Sequence, residues 1–253
     1  MVPCIRTVVC ILLVAAWASP VRAQIVNPLR GFDDEERGWA GGVESTVAIA
    51  DGNTEYFEFE LSGAVQHQSE RHRWRLLGRY QRRTASGVEI AESRMTHLRH
   101  NYRLLQWLSS LAFLQAQYEP FKRIETRLLA GAGARADLFE GVMWHTAVGA
   151  AVMLENEELT DTAGGATNDV RCSFFVSVFR DVKEGVDIDL VGFYQPRVDR
   201  PSDSRANIVG SLRVDIVGEL YVVIRYNAEY DANPPAGVDE LDQNFRAGLG
   251  YDF

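Results

Sequence analysis

The stretch FRAGLGYDF, residues 245–253, decides how this chain is read. Phe245, Ala247, Leu249, Tyr251 and Phe253 fall on one parity, and Arg246, Gly248, Gly250 and Asp252 on the other. A period of two is that of a β-strand whose faces meet different surroundings. The same pattern runs upstream. Leu220, Val222, Ile224, Tyr226, Ala228 and Tyr230 alternate with Tyr221, Val223, Arg225, Asn227, Glu229 and Asp231. Ala206 to Ile216, Val142 to Leu154, Leu128 to Leu138, Trp74 to Tyr80 and Phe57 to Val65 behave alike, whereas 95–105 and 108–118 carry apolar residues on both faces.

Segment length separates the architectures. Strands of soluble proteins run about 5–6 residues, and tilted strands crossing a membrane need about 9–11; the alternating segments here run about 11–14. They predict an all-β, antiparallel, up-and-down transmembrane barrel of about 12 strands, at 38–50, 54–68, 72–83, 93–105, 108–119, 124–137, 142–154, 169–181, 186–197, 204–216, 219–231 and 242–253. Closure follows from the solvent, because hydrocarbon offers no partner to an edge amide. Aromatics gather near predicted strand ends at Trp39, Tyr56, Trp74, Tyr118, Trp144, Tyr194, Tyr230 and Phe253, the depth that suits a half-wet ring. Even-numbered connections are tight, and most odd-numbered ones are longer (84–92, 155–168, 198–203 and 232–241, against short 51–53 and 120–123), which places both termini on the periplasmic side.

Residues 1–23 read as a secretory signal peptide: a basic start, the apolar run TVVCILLVAAWA at 7–18, and small residues Val21 and Ala23 before the cleavage point. Residues 24–37 read as a flexible periplasmic lead and 38–253 as the barrel. The formal charge is −9, and losing Arg6 and Arg22 makes it −9 − 2 = −11, which argues against nucleic acid as a partner. The expected partners are outer-membrane lipid, periplasmic chaperones and the barrel assembly machinery of a Gram-negative outer membrane. Of the three cysteines, Cys4 and Cys10 leave with the signal, so Cys172 has no intrachain partner and reads as strand filler.

GFYQPRVDRPSDSRANIVGSLRVDI (192–216), the strand ending at Tyr230-Asp231, a Pro-containing loop and FRAGLGYDF together resemble the family called salt-induced outer membrane proteins, also catalogued as a domain of unknown function. GNTEYFEFELSGAV (52–65) and LLAGAGARADL (128–138) are similar too, so the resemblance spans about 38–253. It implies fold and location but no chemistry, and no catalytic residue follows from it. Tyr251 with terminal Phe253 also resembles the signal read by the assembly machinery.

The polar parity supplies lumen candidates: Arg73, Arg75, Arg79, Arg99 and Arg103 on the third and fourth segments, and Glu44, Glu58, Glu60, Asp187, Asp189, Glu229 and Asp231 elsewhere. Opposed charged walls would set a field across a narrow pore; the alternative is that the charges pair inside a filled barrel. Three functions follow: a structural or envelope-stress barrel, a small ion or solute channel, and a membrane hydrolase built on His100 and Ser110. That last pair falls on neighbouring strands, diagonal and about 7–8 Å apart, with no orienting acid. His67, His72, His97 and His145 show no metal-ligand spacing, and Asp51-Gly52-Asn53 suits a tight turn better than a calcium site. No cofactor and no catalytic or metal residue is expected.

Overall fold

The computed structural model describes residues 37–50, 55–140, 144–160 and 166–253. The signal segment, residues 24–36 of the lead and the Asp51-Gly52-Asn53 turn lie outside the described residues. Twelve strands are present among those described: β1 Gly38–Ala50, β2 Tyr56–Gln68, β3 His72–Ala85, β4 Val88–Leu105, β5 Leu108–Glu119, β6 Ile124–Glu140, β7 Trp144–Leu159, β8 Thr167–Lys183, β9 Val186–Pro196, β10 Ser204–Val217, β11 Leu220–Asp231 and β12 Leu241–Asp252. Each pairs antiparallel with its sequence neighbours, and β1 pairs with β12 to close the barrel. The seam is finished by Gly41 and Phe253, which exchange backbone hydrogen bonds of 3.0 and 2.9 Å.

Parity sorts the two faces as the alternation predicts. On β11, Tyr221 and Val223 are buried while Tyr226 and Tyr230 are exposed. On β3, Arg73 and Arg75 are 1% exposed and Trp74 between them is 46% exposed. A soluble protein would not turn arginine inward and tryptophan, leucine and phenylalanine outward over a whole surface; a lipid-facing cylinder does. Four tryptophans, Trp39, Trp74, Trp107 and Trp144, lie near the end that carries the termini, and Tyr80, Tyr118, Tyr194 and Tyr230 near the other. These girdles mark two interfaces. Tyr56 departs from the sequence reading: it shares the inward parity and its hydroxyl donates to Glu58.

Two connections also differ from expectation. The segment 84–92 is no loop, because β3 and β4 run on to a hairpin turn at Ser86-Gly87, both with positive φ (50° and 74°). That conformation matches the twist of a two-residue hairpin and favours glycine. The Gly-rich stretch expected as a loop at 155–168 is likewise strand up to Leu159 and again from Thr167. Long connections therefore mark the distal end less sharply than the sequence suggested, although 197–203 and 232–240 remain. The two-faced apolar pattern of β5 has its reason inside, where Leu111 packs with Ala151, Phe175, Phe179 and Val191, flanked by Phe113 and Phe193.

Close strand approach at β6 gives a direct check. A Cβ on Gly133 would lie 2.0 Å from the Ala150 carbonyl oxygen and 2.5 Å from the Ala151 Cα, whereas one on Gly78 would meet nothing within 4 Å. Gly133→Ala is expected to cost about 3 kcal/mol and Gly78→Ala to stay within about 0.5 kcal/mol, read by urea unfolding of the vesicle-inserted protein.

Candidate functional site: the charged lumen

The interior is a set of ionic layers carried on inward parities. At the distal end, Glu155 on β7 accepts from Arg127 on β6 (2.7 Å), Arg205 on β10 (2.7 Å) and Arg171 on β8 (3.4 Å). Glu157 takes a second bond from Arg205 (3.0 Å), whose Nε reaches Asp231 (2.8 Å). Arg171 also holds the β9–β10 connection, donating to Asp203 at 2.9 Å. Arg205 therefore ties β10 to β7 across two intervening strands. Continued alternation past Leu154 carries this information, since Glu155 and Glu157 keep the inward parity; reading 155–168 as a loop hid it.

Lys122 spans the distal mouth. It sits in the 3₁₀ turn Pro120–Lys122 between β5 and β6, and its ammonium lies 2.5 Å from Glu229 on β11, 3.2 Å from Asp242 on β12 and 3.1 Å from Glu119. In ring order β5–β6 and β11–β12 stand opposite one another. Burial alone would lower the ammonium's pKa, but the carboxylates of Glu229, Glu119 and Asp242 outweigh it and hold it above the ordinary lysine range.

A middle layer joins the closing strands. Glu44 on β1 accepts from Arg225 (2.7 Å) and from the Tyr221 hydroxyl (3.2 Å) on β11. Arg246 on β12 reaches Glu58 (3.2 Å) and Glu60 (2.8 Å) on β2, and Glu58 also accepts from Arg83 (3.0 Å) and Gln81 (3.1 Å). Nearer the termini, Arg213 on β10 lies 2.6 Å from Asp252 on β12 and stacks over Tyr221 at 3.8 Å.

The remaining sequence candidates all have inward parity. Arg75 donates to Gln66 at 2.9 Å, Arg99 on β4 sits 5.6 Å from the Phe175 ring on β8, and Arg73 is fully buried beside them. Arg79 is half-buried on the same strand and adds its charge near Glu229; Arg103 lies toward the terminal end of β4. Asp189 accepts from Ser211 at 3.1 Å, and Asp187 stands across from Asp181. The acids of β1 and β2 thus face arginines from β11, β12 and β3 and do not form a bare wall. Charge segregation persists only toward the terminal end, with Arg73, Arg75, Arg99 and Arg103 on β3 and β4 and Asp181, Asp187 and Asp189 on β8 and β9, while Arg135 on β6 is paired with Asp137 at 2.7 Å.

Between Glu44, Thr46, Glu60, Ser62, Arg225 and Arg246 lies a cavity of about 10 Å³, room for about one water. A hollow of about 790 Å³ between Leu98, Leu114, Leu128, Leu154 and Val170 lies on the outer, apolar wall. On that same outer wall His100 bonds His72 and stacks on Trp74, while Ser110 stands across from Tyr102, so the sequence-predicted pair does not meet. Among the described residues no group of three or more His, Cys, Asp or Glu is arranged to hold a metal. Cys172 is free and half-buried on the outer parity of β8, and Tyr251 and Phe253 are exposed on that of β12.

Known proteins agree with this architecture. The family described as "Protein of unknown function, DUF481" matches residues 43–253. No curated protein matches. Among solved structures, the NanC porin superposes with a TM-score of 0.52 at 10% identity, covering 84% of this chain and 98% of its own. The COG4313 outer membrane channel from Pseudomonas putida F1 superposes with a TM-score of 0.51 at 13% identity, covering 86% and 95%. Both likenesses are of fold.

Two outcomes test the layers. Glu155→Gln leaves three buried guanidiniums short of countercharge and is expected to cost about 3 kcal/mol in urea unfolding. Lys122, with 30% of its side chain exposed, contributes less, about 1–2 kcal/mol. A cation held above its unfolded value (about 10.4) stabilises fully below that value and loses the contribution only as pH climbs through the folded one. The gap between wild type and Lys122→Met is therefore expected to stay constant from pH 6 to 9.

Proposed function

This chain belongs to the DUF481 family of proteins of unknown function, and on that footing we propose that it is a closed, structural barrel of the Gram-negative outer membrane serving envelope integrity under stress, not an open diffusion pore. The observation that carries the proposal is Lys122, bonded across the distal mouth to Glu229 and Asp242. Ties of this kind, repeated by Arg205 to Glu155 and Arg246 to Glu58 and Glu60, replace the water column of a wide porin with side chains. Export by a signal peptide cleaved after Ala23, escort by periplasmic chaperones, and delivery to the assembly machinery through Tyr251 and Phe253 belong to the same proposal. So does the absence of catalysis, since His100 spends its ring on His72 and Trp74.

A gated passage for small anions is the second reading, favoured by Arg73, Arg75, Arg99 and Arg103 gathered at the terminal end of β3 and β4. Planar-bilayer recording separates the two. Refolded wild-type protein is expected to give no discrete conductance steps at neutral pH; steps from wild type would replace the closed barrel with the channel.

A further inference from the structure

The outer wall near the termini carries a patch that the lumen does not explain. Register sets Trp39 beside His67, His67 beside Trp74 and Trp74 beside His100, so β1 to β4 present an alternating Trp–His–Trp–His row. His72 and Tyr102 face each other in the next row toward the β2–β3 turn. The rings touch: Trp39 and His67 centroids lie 4.8 Å apart, Trp74 and His100 4.2 Å, His72 and Tyr102 4.9 Å. Arg71 donates to the Tyr102 hydroxyl at 3.5 Å, and His72 Nδ1 stands 3.0 Å from His100 Nε2. Trp39 and Trp74 are exposed. The middle of this wall is apolar, and an imidazole within hydrocarbon is costly, so the row belongs at headgroup depth.

Two ring nitrogens 3.0 Å apart share one proton as a hydrogen bond. When both imidazoles are protonated neither nitrogen can accept, so the shared hydrogen bond is lost, the rings part, and both N–H groups are free to donate to an anionic acceptor. Arg71 adds a fixed positive charge at the edge, and the tryptophans offer flat faces for glycerol and upper acyl chain. The termini and tight turns lie at this end, so the patch meets the periplasmic leaflet.

We propose that this face of β1 to β4 binds the phosphate of an anionic phospholipid, phosphatidylglycerol in type, and that binding takes up protons on His72 and His100. An anion favours the charged imidazoles, so affinity rises as pH falls and the rings take up protons. The other ionisable groups around the pair are His67 and Glu70 from β2 and its turn, Arg71 from that turn, and Tyr102 from β4. On β5 the facing residues are Ala112 and Ser110, which do not titrate. Glu70 opposes Arg71, which leaves the histidines to set the sign of the pH dependence.

Trp39 and Trp74 report on the site. The protein carrying Trp107→Phe and Trp144→Phe is refolded into phosphatidylcholine vesicles, and tryptophan quenching by brominated phosphatidylglycerol is compared with brominated phosphatidylcholine at pH 5.5 and pH 8. The preference for phosphatidylglycerol is expected to be about fivefold greater at pH 5.5, the effect of one added charge near the surface. His72→Gln with His100→Gln removes the pH dependence, and Arg71→Gln weakens the preference at both pH values; circular dichroism checks that each variant is folded. The proposal is overturned by an equal preference at both pH values, by a pH dependence that survives the double histidine change, or by an effect that appears only with added zinc and vanishes with a chelator.

Discussion

Gly41 and Phe253 trade the last pair of backbone hydrogen bonds, at 3.0 and 2.9 Å, and with them the sheet has no edge at that seam. Everything else in the molecule depends on that closure. In hydrocarbon an orphan amide costs several kcal/mol and no water relieves it. The twelve strands are therefore committed as a set. Closure fixes what each parity sees, so one residue in two must be apolar for lipid and the other is free to be charged.

That freedom is used heavily. A twelve-strand cylinder is wider than one that leucine and valine fill, and narrower than a porin that leaves them wet. Long charged side chains solve the geometry, because arginine reaches across one or more strands to a carboxylate while its stem packs beneath. Arg205, Arg225 and Arg246 do this from the closing side of the barrel, and Lys122 does it from the rim. The apolar cluster around Phe175 fills part of the interior between β5 and β9. Buried ion pairs are weak evidence of net stability but strong constraints on pairing, since removing one partner strands the other.

The fold was legible because period two is a local signal, and one hairpin after another repeats it. Leu220 to Tyr230 and Phe245 to Phe253 need no tertiary knowledge to be read. The strand ends were harder. Glu155 and Glu157 look like loop residues in a chain segment that continues into Gly164 and Gly165, and only their countercharges on β6, β8 and β10 explain why the strand goes on. The lumen was half legible: parity gave the inward set, while the partners lie 48 to 188 positions away in ties such as Arg205–Glu157 and Arg246–Glu58. The His72–His100 contact was hidden for the same reason, 28 positions apart in sequence and 3.0 Å apart in space. Lys122 gave no sign of its reach, because nothing in a four-residue connection says what stands on the opposite rim.

The central claim is that alternate residues of one strand face lipid and a filled, water-poor interior. Spin labels placed singly along β11, from position 222 to 228 in a Cys172→Ser background, measure it most directly. Collision with oxygen, which dissolves in lipid, is expected at 222, 224, 226 and 228, and 223, 225 and 227 are expected to be shielded both from oxygen and from a water-soluble nickel chelate. Free access of the nickel chelate at 223, 225 and 227, or loss of the alternation, would contradict it.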